Sequence, residues 1–326
     1  MSNRPAVLVT RKVFADVVDR LRAHFDVQTN EPDEVWSQAE LIRRLQGKVG
    51  AFITGGDKID ATLLAACPGL KVVCSMAVGY NNIDVPACVA HGVVATNAPG
   101  VLTETTADVG FGLMLAAARR FSETERFLRA GQWNRWSVDL FCGTDVHGAT
   151  LGILGMGRIG QAIARRGALG FGMKVIYHNR SRLAPALEAP LQARYVGKDE
   201  LLAQSDHLVI VMPYSPEAHH IIGADELARM KPTATLTNVA RGGLVDDAAL
   251  AEALRDKRIA AAGLDVYEGE PSVHPGLLDL PNVVLLPHIG SATLATRRAM
   301  ANLAADNLIG FLTAGRAVTP VTPVTP

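Results

Sequence analysis

The sequence has few cysteines, no excess of charge of either sign and no long apolar run. Four cysteines occur among 326 residues and none forms a C-x-x-C pair, so we expect no zinc site and no other metal site. Lysine plus arginine equals aspartate plus glutamate, at 32 each, which argues against nucleic acid as the main partner. No apolar run reaches the roughly 18 residues that a membrane span requires, so we expect no membrane association.

The start of the chain and its cysteines predict a cytoplasmic protein. Residues 1–5 lead directly into the strand-like Ala6–Val9, a pattern typical of neither a signal peptide nor a transit peptide. Cys67, Cys74 and Cys88 lie in apolar stretches, as buried reduced thiols of cytosolic proteins do. Hydrophobic residues make up 48% of the chain, enough for a sizeable core, and the length fits two domains.

Short apolar runs alternate with amphipathic stretches in the first hundred residues. This alternation predicts an α/β fold with parallel strands joined by helical crossovers. One predicted helix has a capping-box start, in which Ser37 is followed by Glu40. The predicted strands are Ala6–Val9, Ala51–Thr54, Lys71–Ser75 and Val93–Thr96, and the predicted helices are Val13–Phe25, Ser37–Leu45, Ala61–Ala66 and Val85–Ala90.

A second alternating series begins after a long apolar helix predicted over Thr103–Arg129 and a loop that contains Trp133 and Trp136. This series predicts a second doubly wound sheet. The helix predicted at Leu294–Leu312 has no following strand, so the pattern alone assigns it to the second domain. The Thr-Pro-Val tail after it is predicted to be extended or disordered. The predicted strands are Leu151–Leu154, Lys174–His178, His207–Met212, Thr235–Val239, Ala262–Val266 and Val283–Leu286.

A glycine-rich loop contains Gly155, Gly157 and Gly160 in G-x-G-x-x-G spacing. It follows the predicted strand Leu151–Leu154 and opens a helix that continues from Gln161, which is the context that a dinucleotide-binding loop requires. The glycines permit a tight turn and close approach of the backbone to a pyrophosphate, and the helix N-terminus favours its negative charge. The alternative is a glycine-rich turn that binds no ligand.

The turn after Lys174–His178 indicates which nicotinamide coenzyme binds. NAD sites usually place an acid about 20 residues after the glycine loop, and here none occurs before Glu188. Arg180, Ser181 and Arg182 occupy the turn instead, and they can donate hydrogen bonds to a ribose 2′-phosphate. We therefore predict a preference for NADP(H). The alternative is a solvated loop in an enzyme that uses NAD(H).

Arg241, Glu270 and His288 each follow a predicted strand of the second sheet. Ligands of open parallel sheets bind beyond the carboxyl ends of the strands, so we predict that these side chains converge. An arginine can bind the carboxylate of a 2-oxo acid, a histidine can donate a proton near neutral pH, and a glutamate can orient that histidine. Singly, the residues could be a surface ion pair, a loop acid and a histidine in a turn. Together they favour hydride reduction of a 2-oxo acid.

The sequence resembles the D-isomer-specific 2-hydroxyacid dehydrogenases over nearly its whole length. Within that family it is most similar to the bacterial glyoxylate/hydroxypyruvate reductases that also reduce 2-ketogluconate. The resemblance implies a Rossmann cofactor domain at residues 101–289, inserted in a flavodoxin-like substrate-binding domain made of residues 1–100 and 290–326. The resemblance rests on Val78–Asp84, Thr103–Asp108, Leu151–Gly160, Asn238–Gly242, Leu264–Pro271 and Pro287–Thr293.

The resemblance also implies a role for individual residues. His288 would donate the proton, Glu270 would pair with it, and Arg241 would bind the substrate. The backbone amides of Val78 and Gly79 would bind the substrate carboxylate, with Arg241 and His288 also in contact with the substrate. The implied cofactor contacts are Thr106, Gly155, Gly157, Arg158, Ile159, Gly160, Gln161, Asn179, Arg180, Ser181, Arg182, Pro213, Val239, Ala240, Arg241, Asp265, His288 and Gly290.

The resemblance further implies a homodimer formed through the cofactor domain, with Val109–Ala118 as a plausible contact or a buried core helix. Trp133 and Trp136 would either line the substrate site, from a neighbouring subunit, or serve packing. Two other functions stay open: a D-lactate-type dehydrogenase, and a cofactor-sensing corepressor that shares this fold. A formate dehydrogenase is disfavoured because those enzymes carry glutamine where Glu270 stands.

Overall fold

The computed structural model describes residues 4–321, and the chain within it forms two compact units. Unit 1 contains the chain up to Leu102 and again from Ala292, and unit 2 contains Thr103–Ser291. The chain therefore leaves unit 1 and later returns to it. Over the described range, no helix combines the length and the apolar character needed to cross a bilayer. The substrate-binding and cofactor-binding roles of the two units stay predictions.

Unit 1 is built on five parallel strands in the order β2-β1-β3-β4-β5. This is the flavodoxin-like order, and the central strands are buried on both faces, as helices on both sides require. The elements are β1 (Ala6–Val9), α1 (Ala15–Arg22), β2 (Asp26–Thr29), α2 (Gln38–Leu45), β3 (Gly50–Ile53), α3 (Ala61–Ala66), β4 (Val72–Ser75), α4 (Val85–Ala90) and β5 (Val94–Thr96).

Unit 2 is built on seven parallel strands in the order β12-β11-β10-β9-β6-β7-β8. Strands β6 to β11 have the Rossmann order, and β12 adds an edge, so the predicted pair of doubly wound parallel sheets is confirmed. The strands are β6 (Thr150–Leu154), β7 (Lys174–His178), β8 (Arg194–Tyr195), β9 (His207–Ile210), β10 (Thr235–Asn238), β11 (Ala261–Leu264) and β12 (Val283–Leu285). The helices are α5 (Thr103–Ala118), α6 (Phe121–Arg129), α7 (Arg158–Arg165), α8 (Pro185–Glu188), α9 (Lys198–Gln204), α10 (Ala224–Arg229), α11 (Asp247–Arg255) and α12 (Pro275–Leu278).

The prediction of one long helix over Thr103–Arg129 is wrong, because the chain forms two helices there. Arg120 has φ of 56°, in the left-handed region, and this residue separates α5 from α6. The two helices have different environments: α5 buries Phe111, Leu113 and Met114, whereas α6 buries no residue. The sequence pattern does not separate the apolar core helix from the amphipathic surface helix, because the two polar residues between them, Arg119 and Arg120, do not interrupt a helical pattern.

The last helix, α13 (Leu294–Ala314), belongs to unit 1 and packs against β3, β4 and α1. Its assignment to the second domain from pattern alone is therefore wrong. A close contact explains the glycine at the start of β3. A Cβ on Gly50 would lie 2.7 Å from Leu308 Cδ1 of α13, so glycine lets the helix approach the sheet.

The described part of the Thr-Pro-Val tail is hydrogen-bonded to unit 1. Thr319 donates its backbone N–H to Asn307 Oδ1 and its hydroxyl to the carbonyl of Asn97, at 2.8 and 2.6 Å. The backbone N–H of Val321 donates to the carbonyl of Ala95 in β5 at 2.8 Å. In turn, Asn97 Nδ2 donates to the carbonyl of Val78 at 2.7 Å. The tail thus supports the predicted substrate loop, and the rest of the repeat lies outside the described residues.

Candidate active site

The glycine loop joins β6 to α7, and two of its glycines leave no space for a side chain. Gly155 has φ of +106°, and a Cβ there would lie 2.5 Å from Met212 N. A Cβ on Gly160 would clash with the carbonyl oxygen of Gly155. At Gly157, by contrast, a Cβ would have no described neighbour within 4 Å, which leaves open space at the N-terminus of α7. Open space there fits a pyrophosphate, whose negative charge the helix terminus favours.

Asn179, at the end of β7, supports this loop from the neighbouring strand. Its Oδ1 accepts the backbone N–H of Met156 at 2.6 Å, and its carbonyl accepts the Tyr195 hydroxyl at 3.1 Å. The resemblance implies a direct contact between Asn179 and the cofactor. The hydrogen bond to Met156 shows that its side chain also fixes the conformation of the glycine loop.

Arg182 is held by Glu188, the first acid after the glycine loop. Its Nε and Nη2 donate to Glu188 Oε1 and Oε2 at 2.9 and 2.7 Å, and the Tyr177 hydroxyl donates to Oε1 at 2.5 Å. The Glu188 side chain is only 8% exposed. Hydrogen bonds from Arg182, and secondarily from Tyr177, lower the pKa of Glu188 to about 2, so it remains an anion. Arg180 and Ser181 are exposed on the same turn.

Arg241 follows β10 in a turn that is shaped by a buried asparagine. Asn238 donates from Nδ2 to the carbonyl of Arg241 at 2.9 Å and accepts the N–H of Ala240 at 3.0 Å. A Cβ on Gly242 would clash with the carbonyl of Tyr267, so only glycine permits the turns after β10 and β11 to approach. Desolvation by burial lowers the pKa of Arg241, an effect that the Glu270 charge opposes, and the guanidinium stays charged.

His288 and Glu270 form a direct pair after β12 and β11. His288 Nδ1 lies 2.7 Å from Glu270 Oε2, and Glu270 Oε1 accepts the backbone N–H of Tyr267 at 3.0 Å. Desolvation by burial raises the pKa of Glu270, but the hydrogen bond and charge of His288 outweigh it and the net pKa is lowered. The His288 side chain is 46% exposed. Because Nδ1 faces Glu270, Nε2 is the nitrogen available to a substrate.

Asp265 anchors the turn that carries His288. The carboxylate is buried, and its two oxygens accept the backbone N–H groups of Ile289 and Gly290, each at 2.7 Å. A Cβ on Gly290 would lie 3.0 Å from Asp265 Oδ2 and 3.3 Å from Thr106 Cγ2, so the three residues are in close contact. This carboxylate therefore orients the histidine turn, besides any bond to a cofactor that the resemblance implies.

Comparison with known proteins agrees with this geometry. The family described as D-isomer specific 2-hydroxyacid dehydrogenase, NAD binding domain, matches residues 111–290. The chain is 48% identical over 313 residues to a protein named glyoxylate reductase from Thermococcus onnurineus, covering 94% of this chain and 93% of the relative. The chain belongs to the D-isomer-specific 2-hydroxyacid dehydrogenase family.

Solved structures similar to this dehydrogenase cover almost the whole chain. A glyoxylate reductase from Paecilomyes thermophila has a TM-score of 0.89 at 36% identity, covering 98% of this chain and 99% of its own. An NADPH-dependent glyoxylate/hydroxypyruvate reductase from Sinorhizobium meliloti, solved with NADP and malonate, has a TM-score of 0.88 at 37% identity, covering 98% and 97%. As a family member, the present protein is an oxidoreductase that uses a nicotinamide cofactor on a 2-oxo acid or its 2-hydroxy acid.

The structure of this dehydrogenase brings the predicted site residues of unit 2 into one region. Arg241, Glu270 and His288 lie beyond the carboxyl ends of β10, β11 and β12, where Asp265 and Gly290 join them. Val78 and Gly79 lie in unit 1. Sequence reasoning gave no supporting role to Asn97, Glu188, Asn238 and Tyr267. Asn97 and Asn238 are polar residues at strand ends, and that position is the signal that would have indicated them.

We expect the change Glu270→Gln in this dehydrogenase to lower kcat/KM for hydroxypyruvate by about tenfold or more. Glutamine replaces a charge-assisted hydrogen bond of 2.7 Å that holds His288 Nδ1 with a weaker neutral one. Against desolvation by burial, the hydrogen bond and charge of His288 hold the pKa of Glu270 below its usual value, so the carboxylate is the form that glutamine replaces. Initial rates of both proteins check this. Glu252→Gln, on the exposed face of α11, is the matched control, and an unchanged kcat/KM in Glu270→Gln would contradict the pairing.

Proposed function

We propose that this enzyme reduces glyoxylate, hydroxypyruvate and, as a further substrate, 2-ketogluconate to the D-2-hydroxy acids, with NADPH as the preferred reductant. The observation that carries the proposal is the Glu270–His288 pair next to Arg241 at the carboxyl end of the unit 2 sheet. The names of the relatives and of the Sinorhizobium meliloti structure support the small 2-oxo acids.

The proposed mechanism assigns one task to each side chain of this site. The nicotinamide, when bound, supplies the hydride. Arg241 binds the substrate carboxylate and opposes the negative charge that grows on the 2-oxo oxygen. His288 delivers a proton to that oxygen from Nε2, while Glu270 holds Nδ1 and fixes the orientation of the ring. Binding of the carboxylate by the amides of Val78 and Gly79 stays a prediction.

Initial rates of coenzyme oxidation test this function. The substrates would be glyoxylate, hydroxypyruvate, 2-ketogluconate and pyruvate, each with NADPH and NADH at matched concentrations. We expect the highest kcat/KM with hydroxypyruvate or glyoxylate and NADPH. Pyruvate as the best substrate would favour the D-lactate type instead. No turnover of any of these acids by protein that binds NADPH would contradict the proposal and favour the corepressor alternative.

The coenzyme preference is proposed to depend mainly on Arg180. Arg182 already donates twice to Glu188, whereas Arg180 is exposed on the turn where a 2′-phosphate would lie. A hydrogen bond to a charged group contributes about 1.5–3 kcal/mol, so Arg180→Ala should raise the KM for NADPH roughly 10–100-fold and leave that for NADH nearly unchanged. Arg194→Ala, on the neighbouring strand, is the control. Equal effects of Arg180→Ala on both coenzymes would refute this role.

We propose that the enzyme is a cytoplasmic homodimer whose contact uses α6 and the loop after it, more than Val109–Ala118. Most of Val109–Ala118 is buried inside unit 2, which fits a core helix. Exposed apolar side chains lie in α6 and the loop after it, and they include Phe121, Leu128, Trp133, Trp136 and Val138. Light scattering after size exclusion would test the contact, because replacing these residues with serine should give a monomer. The proposed cytoplasmic location is supported by the buried free thiols of Cys67, Cys74 and Cys88, because cytosolic proteins keep their thiols reduced.

A further inference from the structure

Two adjacent histidines and a glutamate meet on the surface of unit 2, beside the turn that carries Arg241. Each of His219, His220 and Glu268 offers one donor atom, and these atoms lie within 4.8 Å of one another. None of the three has a task in the proposed reduction. His219 and His220 come from the loop after β9, and Glu268 comes from the loop after β11. The expectation of no metal site was based on cysteine spacing, which does not apply to a site of histidine and glutamate.

The separations of the donor atoms are close to those that a metal ion requires. His220 Nε2 lies 2.8 Å from Glu268 Oε2, and His219 Nε2 lies 3.7 Å from Glu268 Oε1. The two imidazole rings are stacked, with centroids 3.8 Å apart and an angle of 23° between their planes. Ligands at about 2.0–2.1 Å from a tetrahedral zinc ion lie about 3.3 Å from one another. Small side-chain rotations would therefore place all three donors around one ion.

The other nitrogen of each imidazole already has a polar neighbour. His220 Nδ1 lies 3.7 Å from Asp246 Oδ2, and His219 Nδ1 lies 3.3 Å from the hydroxyl of Tyr214. Histidine ligands of metals almost always bond through their second nitrogen to a carboxylate or another polar group, which fixes the tautomer and the ring orientation. His219 Nδ1 is thus within hydrogen-bond distance of a hydroxyl, His220 Nδ1 lies near a carboxylate, and both Nε2 atoms face the carboxylate of Glu268.

The backbone holds these residues in place without closing the site to solvent. His220 has φ of 52°, in the left-handed region, and donates its N–H to the carbonyl of Gly243 at 2.7 Å. Glu268 donates its N–H to Asp247 Oδ2 at 3.1 Å. The side chains of His219, His220 and Glu268 are 42%, 34% and 43% exposed, so an ion and its water ligands can reach them.

We propose that His219 Nε2, His220 Nε2 and the Glu268 carboxylate bind a divalent transition-metal ion of the zinc class, with water completing the coordination. Two imidazoles and one carboxylate are a common three-ligand set for zinc. The carboxylates of Glu268 and Asp246 give the site negative charge that the cation balances. Glu268 is two residues from Glu270, so the ion joins the loop after β9 to the loop that holds the proton-donor pair.

Calorimetric titration of the chelator-treated full chain with Zn²⁺ tests this site, and Co²⁺ absorption reports the ligand geometry. We expect one ion per chain, and His219→Gln and Glu268→Gln should each weaken binding at least tenfold. Asp246→Asn should weaken zinc binding about 10-fold or more. Asparagine can still cap α11, but the negative charge beside His220 Nδ1 is lost. His147→Gln and Glu252→Gln, both exposed and outside the His219–His220–Glu268 cluster, should bind like the unmodified protein.

Two results would overturn the proposal. One is the absence of saturable binding up to about 100 μM Zn²⁺ in protein whose circular dichroism shows it to be folded. The other is binding that survives His219→Gln and Glu268→Gln but is lost in His288→Gln, because the ion would then occupy the Glu270–His288 pair. Neither result depends on turnover, so failure here is distinct from failure of the proposed reductase function.

Discussion

Replacing His288 with glutamine is expected to lower kcat for hydroxypyruvate reduction by about 10²–10⁴-fold. The imidazole stands in a turn that Asp265 fixes through the next two backbone N–H groups, and Glu270 holds its Nδ1 at 2.7 Å. These contacts fix the direction of Nε2 toward the proposed position of the substrate oxygen. Water molecules, which have no fixed position, cannot replace a proton donor that is oriented in this way. Glutamine keeps the polarity and most of the volume but cannot donate a titratable proton.

Two measurements separate loss of the proton donor from damage to the fold. Fluorescence titration should show that NADPH still binds, because the glycine loop lies on another turn of unit 2. His147→Gln, an exposed histidine of the same unit, should retain full activity. If His288→Gln retained more than a tenth of the original kcat, another group would have to donate the proton.

Replacing Arg241 is expected to have the second large effect, and the size should depend on the replacement. Arg241 is partly buried and desolvation lowers the pKa of its guanidinium, so its bonds to a substrate carboxylate are less screened than in water. Lysine keeps the charge but loses the planar fork, and we expect kcat/KM to fall about 10–100-fold. Alanine loses both bonds and the charge, and we expect a fall of about 10³-fold, since each charge-assisted bond contributes about 1.5–3 kcal/mol.

Added guanidinium ion makes this prediction specific. It should restore part of the activity of Arg241→Ala, because the cavity left by the side chain can admit the missing group, and it should not restore that of His288→Gln. Arg258→Lys, an exposed residue paired with Asp256, is the matched control and should behave like the unmodified enzyme. An Arg241→Lys enzyme within threefold of the original kcat/KM would show that the fork does not bind the substrate.

The parts of the fold that could be predicted from the sequence are those with local patterns. The central strands are covered on both faces, so they appear as continuous apolar runs, and their predicted bounds agree with the structure to within a few residues. The edge strand β2 was missed because its residues are partly exposed and give no such run. The two-residue β8 is too short to have a pattern. The place of α13 could not be read from its own sequence, since it depends on which sheet the helix covers.

The same distinction applies to the site. Arg241, Glu270 and His288 could be predicted because each directly follows a strand, and parallel strands end at one edge. Contacts between loops have no such marker. The pairing of Arg182 with Glu188 depends on how the turn after β7 folds back, and the contact between His219 and Glu268 depends on how two separate loops fold. Physical reasoning from sequence therefore finds the residues that strands position and misses the ones that loops bring together.

The discontinuity of unit 1 has a consequence for the order in which the protein acquires its structure during translation. Strands β3 and β4 are made early, but α13, which covers them, is made only after all of unit 2. At about 5–20 residues per second, the ribosome needs roughly 10–40 s to add the intervening residues. Through that interval the apolar surface around Gly50 lacks its covering helix. Nascent chains of this enzyme should therefore bind chaperones through their oldest segment rather than their newest.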